Sequence, residues 1–203
     1  PEVGALDCGG GTVIEIRDAI RTRRLVLRPF EAADEDDMYA FESLPEVARY
    51  LYNGPRSRAE NAAELARRQK LTVLRDEGDA LVLAVEADGR VIGYVLLEWL
   101  SERHRQGEFG FVFHPGYHGQ GYASEAAVEM LRIGFEELGL HRVIGRCDPR
   151  NEGSWRLMER LGMRREAYFV ESEIFKGEWG SELHYALLAT EWRASRWATA
   201  PEV

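Results

Sequence analysis

The sequence lacks the features of several protein classes. Its 203 residues include two cysteines, Cys8 and Cys147, which are too few and too far apart for a disulfide framework. No stretch approaches the ~20 apolar residues of a membrane span, and the first fifteen residues lack the pattern of a secretory signal. The chain also contains fewer basic than acidic residues, with 26 Lys and Arg against 35 Asp and Glu, which gives a net charge of −9. We therefore expect a reduced, cytoplasmic protein that binds neither membranes nor nucleic acid.

The overall composition is typical of one folded domain. Hydrophobic residues make up 45% of the chain and charged residues 30%, an ordinary globular mixture. A chain of this length can bury one complete core. We expect an N-terminal tail or linker over residues 1–20, which include three consecutive glycines and show no hydrophobic period. The domain is then expected over residues 21–192, with a C-terminal tail over 193–203.

Hydrophobic periodicity predicts seven strands and four helices in the order β-α-α-β-β-β-α-β-α-β-β. Asp34 is predicted to cap the first helix, Ser57 and Glu60 form a capping box for the second, and Asp88-Gly89 is a hairpin turn. This order predicts an α/β fold of the α+β type, with a mixed sheet and helices on its faces. The predicted strands cover residues 24–29, 80–86, 91–100, 108–114, 141–147, 164–175 and 181–188, and the helices cover 34–44, 57–75, 122–138 and 152–161.

A glycine loop separates the fourth predicted strand from the third helix. Its sequence is Gly119-Gln120-Gly121-Tyr122-Ala123. Glycines let successive backbone N–H groups converge, and the helix start adds about half a positive charge. Such a loop can bind a pyrophosphate without a lysine, although a tight turn with purely geometric glycines explains the same residues. The Lys-Ser/Thr of a P-loop and the Gly-x-Gly-x-x-Gly of a dinucleotide fold are absent, so a nucleotide-binding protein is a weaker alternative.

The segment around this loop resembles the acetyl-coenzyme A (acetyl-CoA) loop of GNAT-superfamily N-acetyltransferases. The family pattern is Gln or Arg, two variable residues, Gly, one variable residue, and then Gly or Ala. It maps onto His118, Gly121 and Ala123, and His118 departs from it. Because the loop of that family binds phosphates mainly through backbone N–H groups, we expect the departure to be tolerated.

Further segments carry the same resemblance, two of them to the family as a whole and two to one of its branches. Residues 151–154 (Asn-Glu-Gly-Ser) and 161–163 (Leu-Gly-Met) look like the family's Asn-x-x-Ser/Ala and Gly-Phe segment. Residues 24–29 (Arg-Leu-Val-Leu-Arg-Pro) and 176–179 (Lys-Gly-Glu-Trp) resemble the branch that acetylates ribosomal-protein N-termini. The resemblance covers residues 22–192. It implies a single GNAT-like domain with about six to seven strands, splayed at the cofactor site, and about four helices.

The resemblance also implies acetyl-CoA as cosubstrate and assigns a set of positions to it. Asn151 is as well explained as a plain helix cap, and Arg156 lies in a basic stretch, residues 141–165, that suits the coenzyme's 3′-phosphate. No metal is implied, because the five histidines show no paired ligand spacing. The implied cofactor-binding residues are Phe111, Val112, Phe113, His118, Gly119, Gln120, Gly121, Tyr122, Ala123, Ser124, Asn151, Ser154 and Arg156.

The implied reaction is attack of a neutral amine on a thioester carbonyl. At pH 7, deprotonation costs about 1 kcal/mol for an N-terminal amine and about 4.6 kcal/mol for a lysine-type amine. Glu108 and Glu98 are the candidate general bases, acting directly or through a water, although either could be an exposed strand residue. Ser154 is the candidate donor to the departing thiolate, because Met158 stands where many family members have Tyr.

The acceptor is expected to be a primary amine, and its identity stays open. A protein or peptide N-terminus is the first candidate, from the resemblance alone, and a polyamine or aminoglycoside-like amine is the second, because it suits the seven acids and no base of residues 31–46. Tyr50, Tyr52 and Trp99 are candidates for the acceptor pocket. A non-catalytic acyl-CoA-binding regulatory module is an alternative of another class, and the resemblance allows a monomer or a homodimer.

Overall fold

The computed structural model describes residues 4–7 and 12–198. Within these ranges the chain forms eleven strands, six α-helices, short 3-10 turns at Ala32–Asp34 and Pro115–Tyr117, and a π-helical turn at Ile133–Glu137. The strands are β1 (Gly4–Asp7), β2 (Thr12–Glu15), β3 (Ile20–Arg21), β4 (Val26–Arg28), β5 (Val73–Leu74), β6 (Ala80–Ala87), β7 (Arg90–Ser101), β8 (Gln106–Phe113), β9 (Arg142–Cys147), β10 (Arg164–Phe175) and β11 (Glu178–Leu188). The helices are α1 (Glu35–Glu42), α2 (Pro45–Ala48), α3 (Arg58–Arg68), α4 (Tyr122–Arg132), α5 (Glu152–Arg160) and α6 (Ala189–Ala194).

The main sheet is mixed, as predicted. Its eight strands follow the order β10-β11-β9-β8-β7-β6-β4-β3, and a second sheet has the order β1-β2-β5. Strands β8 and β9 pair in parallel, whereas the other neighbouring pairs of the main sheet are antiparallel. The α/β fold is confirmed, with more strands and helices than the six to seven and four predicted. Elements as short as β3 and α2 are below the length at which a hydrophobic period can be recognised.

Local sequence signals explain how several elements begin and end. Asp88 and Gly89 adopt positive φ angles of 50° and 76° in the turn between β6 and β7, which confirms the predicted hairpin. The capping box at α3 is also confirmed, because Ser57 Oγ accepts from the Glu60 amide and Glu60 Oε2 accepts from the Ser57 amide. A cap of this kind contributes about 1 kcal/mol.

Asp34 is the N-cap residue of α1, as predicted, but its side chain makes no capping hydrogen bond to that helix. Its carboxylate instead accepts two hydrogen bonds of 2.8 Å from the Arg28 guanidinium and one of 2.7 Å from the Glu31 amide. Asp34 is 5% exposed, so the guanidinium compensates a charge that burial would otherwise penalise. This ion pair ties β4 to the start of α1.

Residues near both ends of the expected domain pack on its core. Ile14 and Ile16, in the expected N-terminal tail, are 0% and 3% exposed and belong to the main core. Strand β2, which carries Ile14, pairs with β5, and helix α3 ends at Arg68 rather than near residue 75 to allow this pairing. At the other end, Trp192 stacks on Phe135 with 5.6 Å between ring centroids, so α6 packs on the domain. The expected tail residues 1–3, 8–11 and 199–203 lie outside the described residues.

Apolar side chains form a core on each face of the main sheet. The larger cluster includes the buried face of α4, with Ala126, Ala127, Met130 and Leu131. The smaller cluster joins Met38 and Phe41 of α1 and Leu65 of α3 to β6 and β7. Burial of one apolar side chain contributes roughly 1.5–3 kcal/mol, so these faces hold the helices in place. The packing of α4 against the sheet sets the start of that helix beside the end of β8.

Candidate active site

The main sheet opens between β8 and β9. The parallel pairing joins Gln106–Glu108 of β8 to Arg142–Ile144 of β9, and in the described chain it extends no further. Strand β8 continues to Phe113 while its other edge remains paired with β7. The N–H and C=O groups on the β9 side of Phe109–Phe113 are therefore available to an extended ligand. A wedge-shaped opening results at the centre of the sheet.

The glycine loop lies at the end of β8 and leads into α4. Gly119 and Gly121 have φ angles of 76° and 84°, a left-handed conformation that costs other residues about 1–2 kcal/mol. Gly121 is the N-cap of α4 and supplies no side-chain capping bond, so the first-turn amides of this helix lack a side-chain acceptor. His118, at the position that departs from the family pattern, holds its Nε2 3.2 Å from the Phe113 carbonyl oxygen. As an Nε2–H donor, His118 closes the loop onto β8.

A cleft of about 130 Å³ lies on one side of the opening. Its walls come from the ends of β8 and β9, from the β10–β11 hairpin and from the loop after α2. Its acidic side chains outnumber its basic ones by four to one. The lining residues are Tyr50, Tyr52, Glu108, Arg146, Cys147, Asp148, Glu173, Phe175, Gly180, Ser181 and Glu182.

A chain of interacting polar side chains runs from this cleft to His184. Arg146 Nε donates to Glu108 Oε1 at 2.9 Å, and Arg146 Nη1 lies 3.9 Å from Glu182 Oε1. The hydrogen bond to Glu108, with the charge of Glu182, raises the pKa of Arg146 above its usual value. Glu182 in turn forms a short hydrogen bond with His184 Nε2. The order Glu108–Arg146–Glu182–His184 therefore links β8, β9 and β11.

Aromatic residues close the other side of the cleft. Tyr52 donates to Glu173 Oε2 at 2.9 Å, and its ring meets Phe175 edge-on with 5.4 Å between centroids. Partial desolvation of the hydroxyl, together with the hydrogen bond to Glu173, raises the pKa of Tyr52. Lys176 donates to the Ala48 carbonyl at 2.7 Å, so the loop after α2 is tied to the hairpin that faces it.

The start of α5 brings Cys147 and Ser154 together. Burial raises the pKa of the Cys147 thiol to about 11, and a hydrogen bond with Ser154 acts in the opposite direction. Asn151 Oδ1 accepts from the Ser154 amide at 3.2 Å, so Asn151 is the helix cap that the sequence allowed. Met158 lies beneath this turn and is 1% exposed.

Not every predicted site residue reaches the cleft. Glu108, Tyr50 and Tyr52 line it, whereas Glu98 stands directly opposite Glu108 on β7 and is not part of the wall. Trp99 does not line the cleft either; it is 6% exposed and packs in the main core. It follows Glu98 along β7, so its side chain points to the opposite face of the sheet.

The remaining predicted residues lie along the opening and the loop. Phe111 and Val112 are half-buried on β8, and Phe113 is buried. Arg156 is exposed and forms a 2.8 Å ion pair with Glu152 of its own helix. The residues from His118 to Ser124, which include Gly119, Gln120, Gly121, Tyr122 and Ala123, follow the end of β8 in one continuous stretch.

Comparisons with known proteins identify the family. A family model described as an acetyltransferase (GNAT) domain matches residues 24–164. The chain belongs to the GNAT acetyltransferase family. The N-acetyltransferase YnaD of Bacillus subtilis, whose role is uncharacterised, is 35% identical over 173 residues, 85% of this chain and 98% of that protein. A GNAT-family acetyltransferase of Bacillus anthracis of known structure is 32% identical, with a TM-score of 0.77, over 86% of this chain and 100% of that one.

A relative with a named acceptor is more distant. The spermidine N(1)-acetyltransferase of Escherichia coli K12 is 24% identical over 168 residues, which are 83% of this chain and 88% of that protein. Membership of the GNAT family makes this chain an acyltransferase, and GNAT acetyltransferases use acetyl-CoA.

The opening fits the cosubstrate of a GNAT enzyme. The left-handed glycines and the uncapped start of α4 offer backbone donors for a pyrophosphate, and the free edge of β8 offers a ladder for an amide-containing arm. Among the described residues, no group of three His, Cys, Asp or Glu side chains is arranged to hold a metal ion. No helix in the described ranges is long and apolar enough to cross a membrane.

Sequence reasoning missed several residues of the GNAT cleft. Arg146, Glu173, Phe175 and Glu182 lie on strands β9, β10 and β11, outside the recognised motifs. Because side chains alternate along a strand, Glu182 and His184 of β11 lie on the same face of the sheet. This alternation is the sequence signal that could have identified them. The face of the sheet that carries the cleft becomes evident only once the strand order is known.

Proposed function

We propose that this GNAT enzyme transfers an acetyl group from acetyl-CoA to a primary amine by direct attack in a ternary complex. The observation that supports the proposal most is the shared opening. The glycine loop and the acidic cleft border the same gap between β8 and β9. When bound, acetyl-CoA supplies an activated thioester carbonyl. The chain has to bind the donor, orient the amine and accept its proton.

On the donor side, backbone groups carry most of the binding. The amides of Gly119, Gly121 and the first turn of α4 would hold the pyrophosphate, and the free edge of Phe111–Phe113 would pair with the pantetheine arm. His118, Gln120, Tyr122, Ala123 and Ser124 belong to the same anion-binding stretch. Asn151 would contact the arm through its side-chain amide group, because its Oδ1 is used in capping α5. Arg156 is exposed at the helix surface and would contact the 3′-phosphate.

On the acceptor side, the cleft favours a cation. Its lining includes four carboxylates and one guanidinium, that of Arg146; Arg150, outside the lining, pairs with one of the four, Asp148. An acidic cleft raises the local concentration of cationic substrates and their association rate. We therefore place a small amine with more than one positive charge first, which agrees with the spermidine acetyltransferase among the relatives.

A protein or peptide N-terminus is the second candidate acceptor. Tyr52 is 74% exposed at the cleft, and the volume of about 130 Å³ leaves room for little more than one side chain. A terminal residue could enter while the rest of the polypeptide stays outside. Tyr50 and Tyr52 would then contact the first residues of the peptide.

Glu108 is the proposed proton acceptor. Its Oε1 is held by Arg146, and no partner of Oε2 is found in the described chain, so Oε2 can take the ammonium proton directly or through a water. Ser154, beside the Cys147 thiol, is the proposed hydrogen-bond donor to the departing thiolate. The second proton lost by the amine nitrogen goes to the sulfur, which completes the balance: an amide forms, the thioester C–S bond breaks, and free coenzyme A leaves as a thiol.

A thiol-release assay tests the function and the acceptor together. Purified protein with acetyl-CoA is offered spermidine, putrescine, n-butylamine, and peptides that begin with Ala or Ser. We expect turnover of the polyamines to exceed turnover of the matched monoamine, with an excess that shrinks as salt is added. Preference for the peptides would instead identify the second candidate. Tight acetyl-CoA binding without turnover of any amine would contradict the enzymatic proposal and indicate a regulatory acyl-CoA-binding module.

A further inference from the structure

The segment before β4 reaches across to the glycine loop. Arg24 Nη1 donates to the Gln120 carbonyl oxygen at 2.8 Å, and Arg24 Nε donates to Glu125 Oε2 at 2.8 Å. The Arg24 amide and the Thr22 hydroxyl both donate to Glu125 Oε1, at 2.7 and 2.6 Å. The guanidinium carbon also lies 4.6 Å from the centroid of the Tyr122 ring. A side chain about a hundred residues away in sequence thus holds three consecutive parts of the loop and helix start.

The contact with Gln120 fixes the direction of one peptide group. In a planar trans peptide the C=O of Gln120 and the N–H of Gly121 point in opposite directions. Because Arg24 holds this C=O on its own side, the Gly121 N–H is directed away from Arg24. That amide belongs to the left-handed turn proposed to bind the pyrophosphate, and the glycines on either side of Gln120 allow the peptide to rotate when it is not held.

We propose that Arg24 is a positioning residue, which sets the orientation of the Gln120–Gly121 peptide for pyrophosphate binding. The inference rests on the proposed function, because it presumes that the loop binds acetyl-CoA. Arg24 acts through the loop and not on the reacting atoms. Its effect is therefore confined to donors that carry a pyrophosphate.

The ion pair with Glu125 supports the same role through charge. Glu125 lies in the first turn of α4, at the helix end where an anion has to bind. An unpaired carboxylate there would repel the pyrophosphate. Burial alone would raise the pKa of Glu125, but the hydrogen bonds from Thr22 and Arg24 lower it below its usual value. Glu125 is therefore a carboxylate anion, and a neighbouring positive charge has to compensate it. Arg24 is the cation that neutralises it.

The test compares two acyl donors in the same variants. Acetyl-CoA contains the pyrophosphate, whereas S-acetylpantetheine has the same thioester and arm without it. For Arg24→Gln we expect KM for acetyl-CoA to rise about 10-fold or more, as for a lost hydrogen bond to a charged group, with little change in kcat. The kcat/KM with S-acetylpantetheine should stay within about 2-fold of wild type. A difference of that size is the ordinary scatter between independent changes at distant sites.

Three controls make the outcome decisive. Arg17→Gln removes an exposed ion pair elsewhere and should leave both donors unaffected. Arg24→Lys keeps the charge but cannot hydrogen-bond to Gln120 and Glu125 at the same time. Its KM for acetyl-CoA should therefore rise less than that of Arg24→Gln, again without an effect on S-acetylpantetheine. Arg24→Lys also replaces Arg24→Gln if that variant fails to fold. Adding Glu125→Gln to Arg24→Gln should restore affinity for acetyl-CoA in part or not at all.

Equal losses with both donors would overturn the proposal, because they would mean that Arg24 only stabilises the fold. Unchanged kinetics with acetyl-CoA would overturn it as well. Full recovery in the double variant would reduce the role of Arg24 to charge alone and would contradict a role in orientation. Failure of the wild-type protein to bind acetyl-CoA in calorimetry is a separate result, because it contradicts the proposed function before Arg24 is tested.

Discussion

Glu98 and Glu108 stand directly opposite each other on β7 and β8, yet their surroundings differ. Glu108 lines the acidic cleft and accepts a 2.9 Å hydrogen bond from Arg146 on β9. Glu98 faces no such partner on β9, because β7 lies one strand further from the opening. The two glutamates that the sequence offers as candidate bases are thereby distinguished by their distance from the gap in the sheet.

The first prediction follows from this difference. Glu108→Gln should lower kcat by about 100-fold or more, the usual scale for loss of a general base, while the Kd of acetyl-CoA stays unchanged. Glu98→Gln serves as the matched control and should keep kcat within a few-fold of wild type. Steady-state kinetics and calorimetry on both variants provide the check. Similar losses in the two variants, or a full kcat in Glu108→Gln, would contradict the assignment of the base.

The acidic lining should set acceptor affinity. Replacing Glu173 or Glu182 by Gln removes one negative charge from the cleft, and at partly exposed sites such a change is worth up to about 1 kcal/mol. We expect KM for spermidine to rise up to about 5-fold at low salt and less at high salt, with KM for n-butylamine changing less. Glu178→Gln is the control, because Glu178 is on the same hairpin and outside the cleft wall. A KM for spermidine that is insensitive to both changes would argue against a polycationic acceptor.

The Cys147 thiol should be slow to react at neutral pH. Its pKa of about 11 lies above the ordinary thiol value, so the reactive thiolate forms only as the pH approaches 11. In a Cys8→Ser background, alkylation by iodoacetamide should be slow at pH 7 to 9 and rise steeply above that range. The same protein unfolded in urea should react with the ordinary midpoint near about 8.5. Rapid alkylation of the folded protein at pH 7 would show that Cys147 is an activated thiolate instead.

Acid should destabilise the protein through Glu64 of helix α3. Although burial opposes the change, hydrogen bonds and charges from Arg67, Arg68 and Arg56 lower the pKa of Glu64 to about 2. A carboxylate whose pKa falls on folding stabilises the protein above its unfolded pKa, and this contribution is lost as the pH falls from about 4.5 towards 2. Urea titrations at pH 7, 4 and 2.5 should show that loss, and Glu64→Gln should flatten it. An equally steep pH dependence in the variant would assign the loss to other groups.

Local signals in the sequence predict much of the fold. The capping box at Ser57, the Asp88-Gly89 turn and the three strands predicted at 80–86, 91–100 and 108–114 depend on neighbouring residues, and each is confirmed. The motif at residues 118–123 likewise indicates a loop before a helix, which is observed. Local patterns are sufficient where the determinants are close in sequence.

Long-range contacts explain what sequence reasoning missed. Ile14 is buried because β2 pairs with β5, and no local pattern in a short polar segment shows that pairing. Trp99 is an aromatic residue near the site in sequence, but its position on β7 sends it into the core. Glu182 reaches the cleft because β11 lies next to β9, which brings together residues from distant parts of the chain. The composition of the cleft therefore depends on strand order, which short motifs do not specify.

Calorimetric titration of acetyl-CoA into wild-type protein and Gly121→Ala tests the central claim most directly. Gly121 has a φ of 84°, and a Cβ there would lie 3.3 Å from Arg24 Nη2, so alanine should distort the loop at a cost of about 1–2 kcal/mol. The proposal predicts 1:1 binding of acetyl-CoA and coenzyme A to wild type but not of ATP, at least about 5-fold weaker binding to Gly121→Ala, and wild-type affinity in the control Gly54→Ala. Absence of binding to wild type, or equal affinity in Gly121→Ala, would contradict it.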